Sequence, residues 1–162
     1  MKLLSAVVAA AVTAIFLANA HAQVPVVAKA DQEQMLASSD PRLAANKRLV
    51  YNFWREVFEA GHMDLAEKYM AEGYIQHNPN VPTGRAAFVD FFSKNVALQP
   101  IESRVRAPLV AIIAEGDTVV LAFAREGIDP KDPGKKYSTT WFDMFRIENG
   151  KIAEHWDPAT KR

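Results

Sequence analysis

The sequence predicts an α+β fold, in which a curved, mostly antiparallel sheet packs on three N-terminal helices. Apolar residues follow a helical period up to about residue 98 and a period of two after Pro100. Asn149-Gly150 is the preferred residue pair for a two-residue hairpin turn, so two strands must meet there. A sheet that curls over helices encloses a cavity, and we expect a small-molecule site in it.

Three helices are predicted before residue 100. Asp40-Pro41 opens the longest, with Asp as N-cap and Pro at the first helical position, and Gly61 ends it. Residues 65–70 and 85–98 form the second and third. The buried stripe of the longest helix is Val50, Phe53, Trp54, Val57 and Phe58.

The strands are predicted from alternation and from turn residues. A short strand over 73–77 stops at Asn78-Pro79, and residues 129–134 form a loop rich in turn formers. The remaining four strands are expected at 102–114, 118–126, 136–147 and 151–156.

The first 22 residues predict a cleavable signal peptide: Lys2 precedes an apolar run over 3–17, and Ala20-His21-Ala22 is a small-x-small cleavage site. We expect an export signal, a leader over 23–40, one domain over 41–158 and a tail over 159–162. The exported protein would be periplasmic or secreted and free of the membrane. Removing Lys2 leaves 18 basic against 19 acidic residues, and without a basic block nucleic acid is not an expected partner.

The chain contains no cysteine. This excludes disulfides, thiol catalysis and zinc–thiolate sites, so the core must hold the fold together. Phosphate-binding glycine loops and the serine-hydrolase elbow are absent from the sequence as well.

A regular final hairpin places Asp143 on the apolar face of the sheet. There a carboxyl group is partly desolvated, which raises its pKa toward the range useful for proton transfer. A structural carboxylate paired with a neighbour is the alternative. His155 and Asp157 then lie on the opposite face unless a bulge shifts the register, so a triad with Asp143 is not expected. The expected pairs are Glu148 with Lys151, Ile147 with Ile152, Phe145 with Glu154, and Asp143 with Trp156.

Two motifs carry a resemblance to a known family. Tyr74-Ile75-Gln76-His77-Asn78-Pro79 with Gly84-Arg85, and then the stretch over 143–157, resemble the SnoaL-like branch of the nuclear transport factor 2-like superfamily. The resemblance runs from about residue 44 to 158. It implies a cone: a bent sheet wrapped around one long and two shorter helices.

SnoaL-like polyketide cyclases close rings by an intramolecular aldol condensation, without a metal or an organic cofactor. The resemblance therefore implies no cofactor, Asp143 as the catalytic acid, and His77 as a second polar group near the cavity mouth. His77 could instead bond the Asn78-Pro79 turn and close the cone. Aromatic side chains are expected to hold a small apolar substrate: Trp54, Tyr74, Trp141, Phe145 and Trp156.

The chain departs from the family at one strand. Residues 119–124 carry no ionisable group, whereas many relatives carry histidine there. Two hypotheses follow: a cofactor-free lyase or isomerase acting next to a carbonyl, or a module that binds a small hydrophobic molecule or dimerises without chemistry.

Two further expectations concern the hairpin. His155 and Asp157 could supply two metal ligands, but two ligands do not make a site, so no metal is expected. The superfamily often dimerises through the outer face of the sheet. A homodimer is therefore expected, with Phe142, Met144, Arg146 and His155 in its interface.

The cleavage site gives the first testable prediction. Expressed with its full N-terminus in a bacterium, the protein should appear outside the cytoplasm with Gln23 as its first residue, because signal peptidase cuts after a small-x-small triplet. Intact-mass measurement and N-terminal sequencing check this. An Ala20→Phe/Ala22→Phe variant, which lacks the small residues, should remain uncut. A mature wild-type protein that still begins at Met1 would contradict the prediction.

Overall fold

The computed structural model describes residues 24–161, so the predicted signal peptide lies outside the described residues. Within that range, a five-stranded sheet with the strand order β1-β5-β4-β3-β2 packs on helices, which confirms the α+β prediction. The elements are α1 Gln32–Leu36, α2 Pro41–Phe53, a π-helical segment Trp54–Glu59, a 3₁₀ turn Met63–Leu65, α3 Ala66–Tyr69, β1 Met70–Gln76, α4 Arg85–Asn95, β2 Leu109–Glu115, β3 Thr118–Asp129, β4 Asp132–Glu148 and β5 Lys151–Trp156.

The longest helix begins as predicted and changes its winding before it ends. Asp40 Oδ1 accepts the backbone N–H of Arg42 at 2.8 Å, which caps α2. From Trp54 to Glu59 the chain is π-helical. In this winding residues five apart lie above one another, and the Trp54 indole N–H donates to Glu59 Oε1 at 3.1 Å. Gly61, at φ +75°, ends the segment as predicted.

The sheet is antiparallel except where β1 pairs in parallel with β5. Its inner face packs on α2 and the π-helical segment around a core that includes Val57, Tyr69 and Phe145. None of the helices within residues 24–161 is long and apolar enough to cross a bilayer.

Residues 24–40, predicted as a leader, lie against the domain. The backbone N–H of Lys29 donates to the carbonyl of Leu109 on the edge strand β2 at 2.9 Å. The Gln32 side chain is buried, accepts the Tyr51 hydroxyl at 2.7 Å, and donates to the carbonyl of Val105 at 2.9 Å. The segment contains one short helix, α1, whose N-cap Asp31 accepts the backbone N–H of Gln34 at 3.0 Å.

Two predicted boundaries are wrong for local reasons. The strand predicted over 102–114 begins at Leu109, because the Glu59 carboxylate accepts the backbone N–H groups of Arg106 and Ala107 at 2.8 and 2.9 Å. The loop predicted over 129–134 contracts to a tight turn in which Asp129 Oδ1 accepts the Lys131 N–H at 2.8 Å.

The final hairpin contains one extra residue. Asn149 at φ 51° and Gly150 at φ 71° form the predicted turn. Two predicted pairs are confirmed, Glu148 with Lys151 and Ile147 with Ile152, and then the register shifts. The bulge leaves Ala153 without an opposite residue, so the predicted pairing of Phe145 with Glu154 and of Asp143 with Trp156 is wrong. The observed pairs are Arg146 with Glu154, Phe145 with His155, and Met144 with Trp156.

The bulge reverses the direction of every later side chain of β5. His155, predicted on the outer face, is buried on the inner face, and Trp156 lies on the outer face instead. The outer face therefore presents Phe142, which is 51% exposed, Met144 and Arg146, but not His155. The homodimer through this face stays a prediction.

Gly61 gives a testable prediction about stability. A Cβ at Gly61 would lie 2.9 Å from the carbonyl oxygen of Ala97, whereas a Cβ at Gly150 would meet open space. Both glycines have a positive φ, which costs an alanine roughly 1–2 kcal/mol. Gly61→Ala should therefore lower the free energy of unfolding more than its control Gly150→Ala, as measured by urea titration. Equal losses would contradict the clash.

Candidate active site

A cavity of about 280 Å³ lies between the inner face of the sheet and the helices. Its wall on the helical side is aromatic. The residues are Phe53 of α2, Trp54 and Phe58 of the π-helical segment, and Phe88, Phe91 and Phe92 of α4. Its wall on the sheet side is mixed and includes polar groups that converge on one end. These groups are Tyr74, Gln76, Asn78, Asp143, His155 and Asp157.

Asp143 lies at the centre of this polar end. It sits on the inner face of β4 between Trp141 and Phe145, opposite Leu121 of β3, and is only 3% exposed. Alternation along β4 places it there, as the sequence predicts. The bulge in β5 then brings His155 alongside, with its ring centroid 4.7 Å from that of Phe145.

Asp143 and His155 are hydrogen-bonded, with 3.0 Å between Oδ1 and Nε2. The other ring nitrogen, Nδ1, lies 2.9 Å from Gln76 Oε1. That oxygen also accepts the backbone N–H of Asn78 at 2.9 Å, so it is an acceptor and Nδ1 must donate to it. Nε2 and Asp143 Oδ1 therefore hold one proton between them, carried either by the carboxyl group or by the imidazole.

The electrostatics of the site shift Asp143 toward its protonated form compared with an exposed aspartate. Burial raises the pKa of Asp143 above its ordinary value. The hydrogen bond and charge of His155 oppose the rise, the charge of Asp157 adds to it, and the neighbouring indole of Trp141 opposes it. Asp143 Oδ2 is buried and has no hydrogen-bond partner among residues 24–161. A buried oxygen without a partner is costly, which makes it the atom best suited to accept a bond or a proton from a ligand.

Tyr74 supplies a hydroxyl group to the same end of the cavity. It is 1% exposed, and its oxygen accepts Gln76 Nε2 at 2.9 Å. Burial, and then the charges of Asp157 and Asp143, raise the pKa of the hydroxyl, so it stays neutral. No described residue accepts the hydroxyl hydrogen of Tyr74, which leaves it available to an oxygen atom of a ligand.

Asp143, His155 and Asp157 also form a possible ligand set for a metal, since one ligand atom from each lies within 4.8 Å of the others. Their atoms are already engaged: Asp157 Oδ2 accepts Asn78 Nδ2 at 2.8 Å, and its Oδ1 accepts the Ala159 N–H at 2.8 Å. Both nitrogens of His155 are hydrogen-bonded as well. The geometry favours a hydrogen-bonded proton network over a metal centre, because only Asp143 Oδ2 is free of a protein partner.

Four of the five predicted aromatic residues line the cavity: Trp54, Tyr74, Trp141 and Phe145. The fifth, Trp156, and the predicted polar residue His77 are not among the residues that line the cavity. Trp156 lies on the outer face, where its ring stacks on that of His77 at a centroid distance of 4.9 Å. His77, predicted near the cavity mouth, is outside the cavity lining and bonds Glu154 Oε1 at 2.7 Å.

The sequence prediction missed His155 as an inward group, and with it the triad. One signal could have revealed it. Ile152-Ala153 are adjacent apolar residues in a strand that otherwise alternates, and both are buried. Two neighbouring buried residues on one strand indicate a bulge. Gln76 and Arg125 also line the cavity without having been predicted there.

Comparison with known proteins places the chain in a family. The family model described as a SnoaL-like domain matches residues 50–155. The fold is similar to a candidate polyketide cyclase from Acidithiobacillus ferrooxidans, with 20% identity and a TM-score of 0.50 over 75% of this chain and 89% of that one. A candidate SnoaL-like polyketide cyclase from Jannaschia sp. CCS1 has 19% identity and a TM-score of 0.50 over 75% and 91% of the two chains. Among curated proteins none matches.

The buried pair gives a testable prediction with a defined pH dependence. In His155→Phe, Asp143 loses the partner that opposes its raised pKa, which then rises further. The stability that a protonated Asp143 contributes is complete below about pH 4, the ordinary aspartate value, and is lost as the pH rises through the folded-state pKa. We expect the variant to lose more unfolding free energy at about pH 7, roughly 1–3 kcal/mol, than at about pH 4.

Urea unfolding of the wild type and the variant at the two pH values measures this difference. The matched control is the double variant His155→Phe/Asp143→Leu, which removes the buried carboxyl group as well and should lose the pH dependence. A loss for His155→Phe that is the same at both pH values would show that the two groups share no proton.

Proposed function

The chain belongs to the SnoaL-like domain family, and from this membership we propose that it is a cofactor-free acid–base enzyme that moves a proton next to a carbonyl group of a small, largely apolar molecule. One observation carries the proposal: the buried Asp143 bonds His155 through Oδ1 and has no protein partner at Oδ2, inside an aromatic cavity. Residues 119–124 of β3 carry no ionisable group, and the polar partner of Asp143 is His155 of β5.

The ionised form of Asp143 is the base in the first step. Its Oδ2 accepts a proton from the carbon next to the substrate carbonyl, and the electron pair of the broken C–H bond moves to the carbonyl oxygen, giving an enolate. Burial strengthens this base, because it raises the pKa of Asp143 toward the working pH. The Tyr74 hydroxyl, buried and neutral, donates a hydrogen bond to the enolate oxygen.

Asp143 returns the proton in the second step. In an isomerisation the proton goes from Oδ2 to another carbon of the enolate. In an aldol ring closure the enolate carbon attacks a second carbonyl of the same molecule, and the alkoxide that forms takes the proton. Either way the enzyme ends as it began, so no other reactant is required.

His155 is a positioning residue. Held at Nδ1 by Gln76 and at Nε2 by Asp143, its ring cannot turn without losing a buried hydrogen bond. It orients the carboxyl group so that Oδ2 stays free for substrate, and it balances the charge of Asp143 when the carboxyl group is ionised. The proposal thus gives His155 a positioning function, which the sequence had not predicted for it.

The aromatic wall sets the substrate class. Trp54 stacks on Phe123 at a centroid distance of 4.7 Å and contacts Phe58 at 4.4 Å, which leaves flat apolar surfaces around the cavity. Such a wall binds a planar or polycyclic molecule and excludes water, which strengthens every polar interaction at the other end. Ring closure of the polyketide type, named for two structural relatives, is one form of this chemistry.

A second candidate is a non-catalytic module that binds a small hydrophobic molecule. Phe53, Phe58 and the three phenylalanines of α4 line the cavity, so much of it is apolar and suits plain binding. Both candidates are proposed to act after export, an inference that rests on Lys2, the apolar run over 3–17 and Ala20-His21-Ala22.

Asp143→Asn separates the two candidates, because it keeps the shape of the side chain and removes the base. With aryl ketones in D₂O, the wild type should exchange the protons next to the carbonyl, and the variant should exchange them roughly 100-fold more slowly or worse. Proton NMR follows the exchange. The control Asp90→Asn changes an exposed carboxylate that pairs with Lys94 and should exchange at the wild-type rate.

The outcomes divide cleanly. Proton exchange at the wild-type rate in Asp143→Asn would contradict the proposed role of Asp143 as the base. Ketone binding by the wild type without any exchange supports the binding module, and calorimetric titration of the same ketones measures it.

A further inference from the structure

Arg125 lines the cavity four residues along β3 from Leu121, the residue opposite Asp143. It follows Phe123 by two residues on β3, so its side chain lies on the inner face of the sheet. The guanidinium carbon lies 4.1 Å from the ring centroid of Trp141, and Arg125 lines the cavity. The indole ring holds the guanidinium flat, which fixes the direction of its donors.

Arg125 is exposed, and its donors are not used by any residue in 24–161. Arg55 and Arg146, in contrast, are engaged: Arg55 donates to Glu56 at 2.6 Å, and Arg146 donates to Glu154 at 2.8 Å. For Arg125, no hydrogen bond or ion pair of the side chain to any residue in 24–161 accompanies the contact with Trp141. A guanidinium with free donors is suited to bind a carboxylate through two parallel hydrogen bonds.

We propose that the substrate is a keto acid whose carboxylate binds Arg125, while the carbon next to its carbonyl lies at Asp143. This inference rests on the proposed function and names its substrate class. Trp141, under the guanidinium, is two residues before Asp143 on β4, a separation of roughly 7 Å along the strand. A chain of a few carbon atoms between the carboxylate and the reacting carbon spans this distance.

The charges at the two ends of the cavity determine the direction of binding. Asp143, Asp157 and Arg125 all line the cavity, and Arg125 pairs with Thr139, four residues along β4 from Asp143. An anionic head at the acidic end would be repelled by the carboxylate of Asp157. The Tyr74 hydroxyl offers it one hydrogen bond there, against two from a guanidinium, because Asn78 Nδ2 and both nitrogens of His155 are engaged. The acid group therefore goes to Arg125, and the carbonyl goes to the proton-transferring end.

The apolar part of the substrate can pack against the aromatic wall of the cavity. Trp141 and Trp54 lie beside the cavity with Phe58 and Phe92, so an aryl group on the far side of the carbonyl packs against aromatic rings. The suitable probes are β-benzoylpropionate and its one-carbon-longer homologue γ-benzoylbutyrate, each compared with its methyl ester. The ester keeps the shape and the ketone and loses only the negative charge.

Two readouts test the inference separately from the proposed function. Calorimetry measures the dissociation constant of each acid and of its ester for the wild type, and proton NMR in D₂O measures exchange next to the ketone. We expect the wild type to bind at least one acid roughly 10-fold to 100-fold more tightly than its ester, as charge-assisted hydrogen bonds provide. Arg125→Met should abolish the preference, and Arg125→Lys should keep part of it.

The control variant is Arg42→Met, which removes one positive charge from the exposed start of α2, outside the cavity lining. It should keep the acid preference, so that a loss in Arg125→Met cannot come from net charge. Thermal unfolding of both variants establishes that they are folded. A preference that survives in Arg125→Met, or a wild type that binds neither acid better than its ester, overturns the inference.

The two proposals fail in different ways. Acid preference that depends on Arg125, without exchange next to the ketone, upholds the carboxylate site and removes the acid–base function. Exchange that depends on Asp143, at equal rates and affinities for acid and ester, upholds the function and removes the carboxylate site.

Discussion

The hydrogen bond between Asp143 and His155 depends on one extra residue in β5. Without the bulge at Ala153, His155 would point away from the cavity and the buried carboxyl group would have no protein partner at either oxygen. The same residue adds local twist and so helps the sheet curve over the helices. Stability of the buried carboxyl group and the chemistry proposed for it thus have a common structural origin.

Local signals allowed much of the fold to be predicted from the sequence. Asp40-Pro41 starts a helix and Asn149-Gly150 makes a turn whatever the rest of the chain does, because each satisfies a backbone requirement within a few residues. Alternation placed Asp143 on the inner face for the same reason. The register beyond Ile152 was not predictable in this way, since counting by two assumes that every residue has an opposite partner.

The remaining features depend on residues far apart in the sequence. Glu59 keeps residues 106 and 107 out of the sheet, and Gln76 fixes the ring of His155 across 79 positions. No periodicity records such contacts. The π-helical winding likewise depends on tertiary contacts. It lets the Trp54 indole donate to Glu59, whose carboxylate also accepts the backbone N–H groups of residues 106 and 107. The inward position of Asp143 was therefore predictable from the sequence, whereas its neighbours His155 and Gln76 became evident only from the fold.

The position of β5 has a consequence for how the chain acquires its structure. Among the five strands within residues 24–161, the most C-terminal one, β5, is an interior strand between β1 and β4. Until the C-terminal residues are available, β1 and β4 each expose an unpaired edge, and the polar end of the cavity lacks both His155 and Asp157. The sheet is therefore completed only after β5 has been synthesised, and a chain that stops before β5 would present open strands that attract other chains.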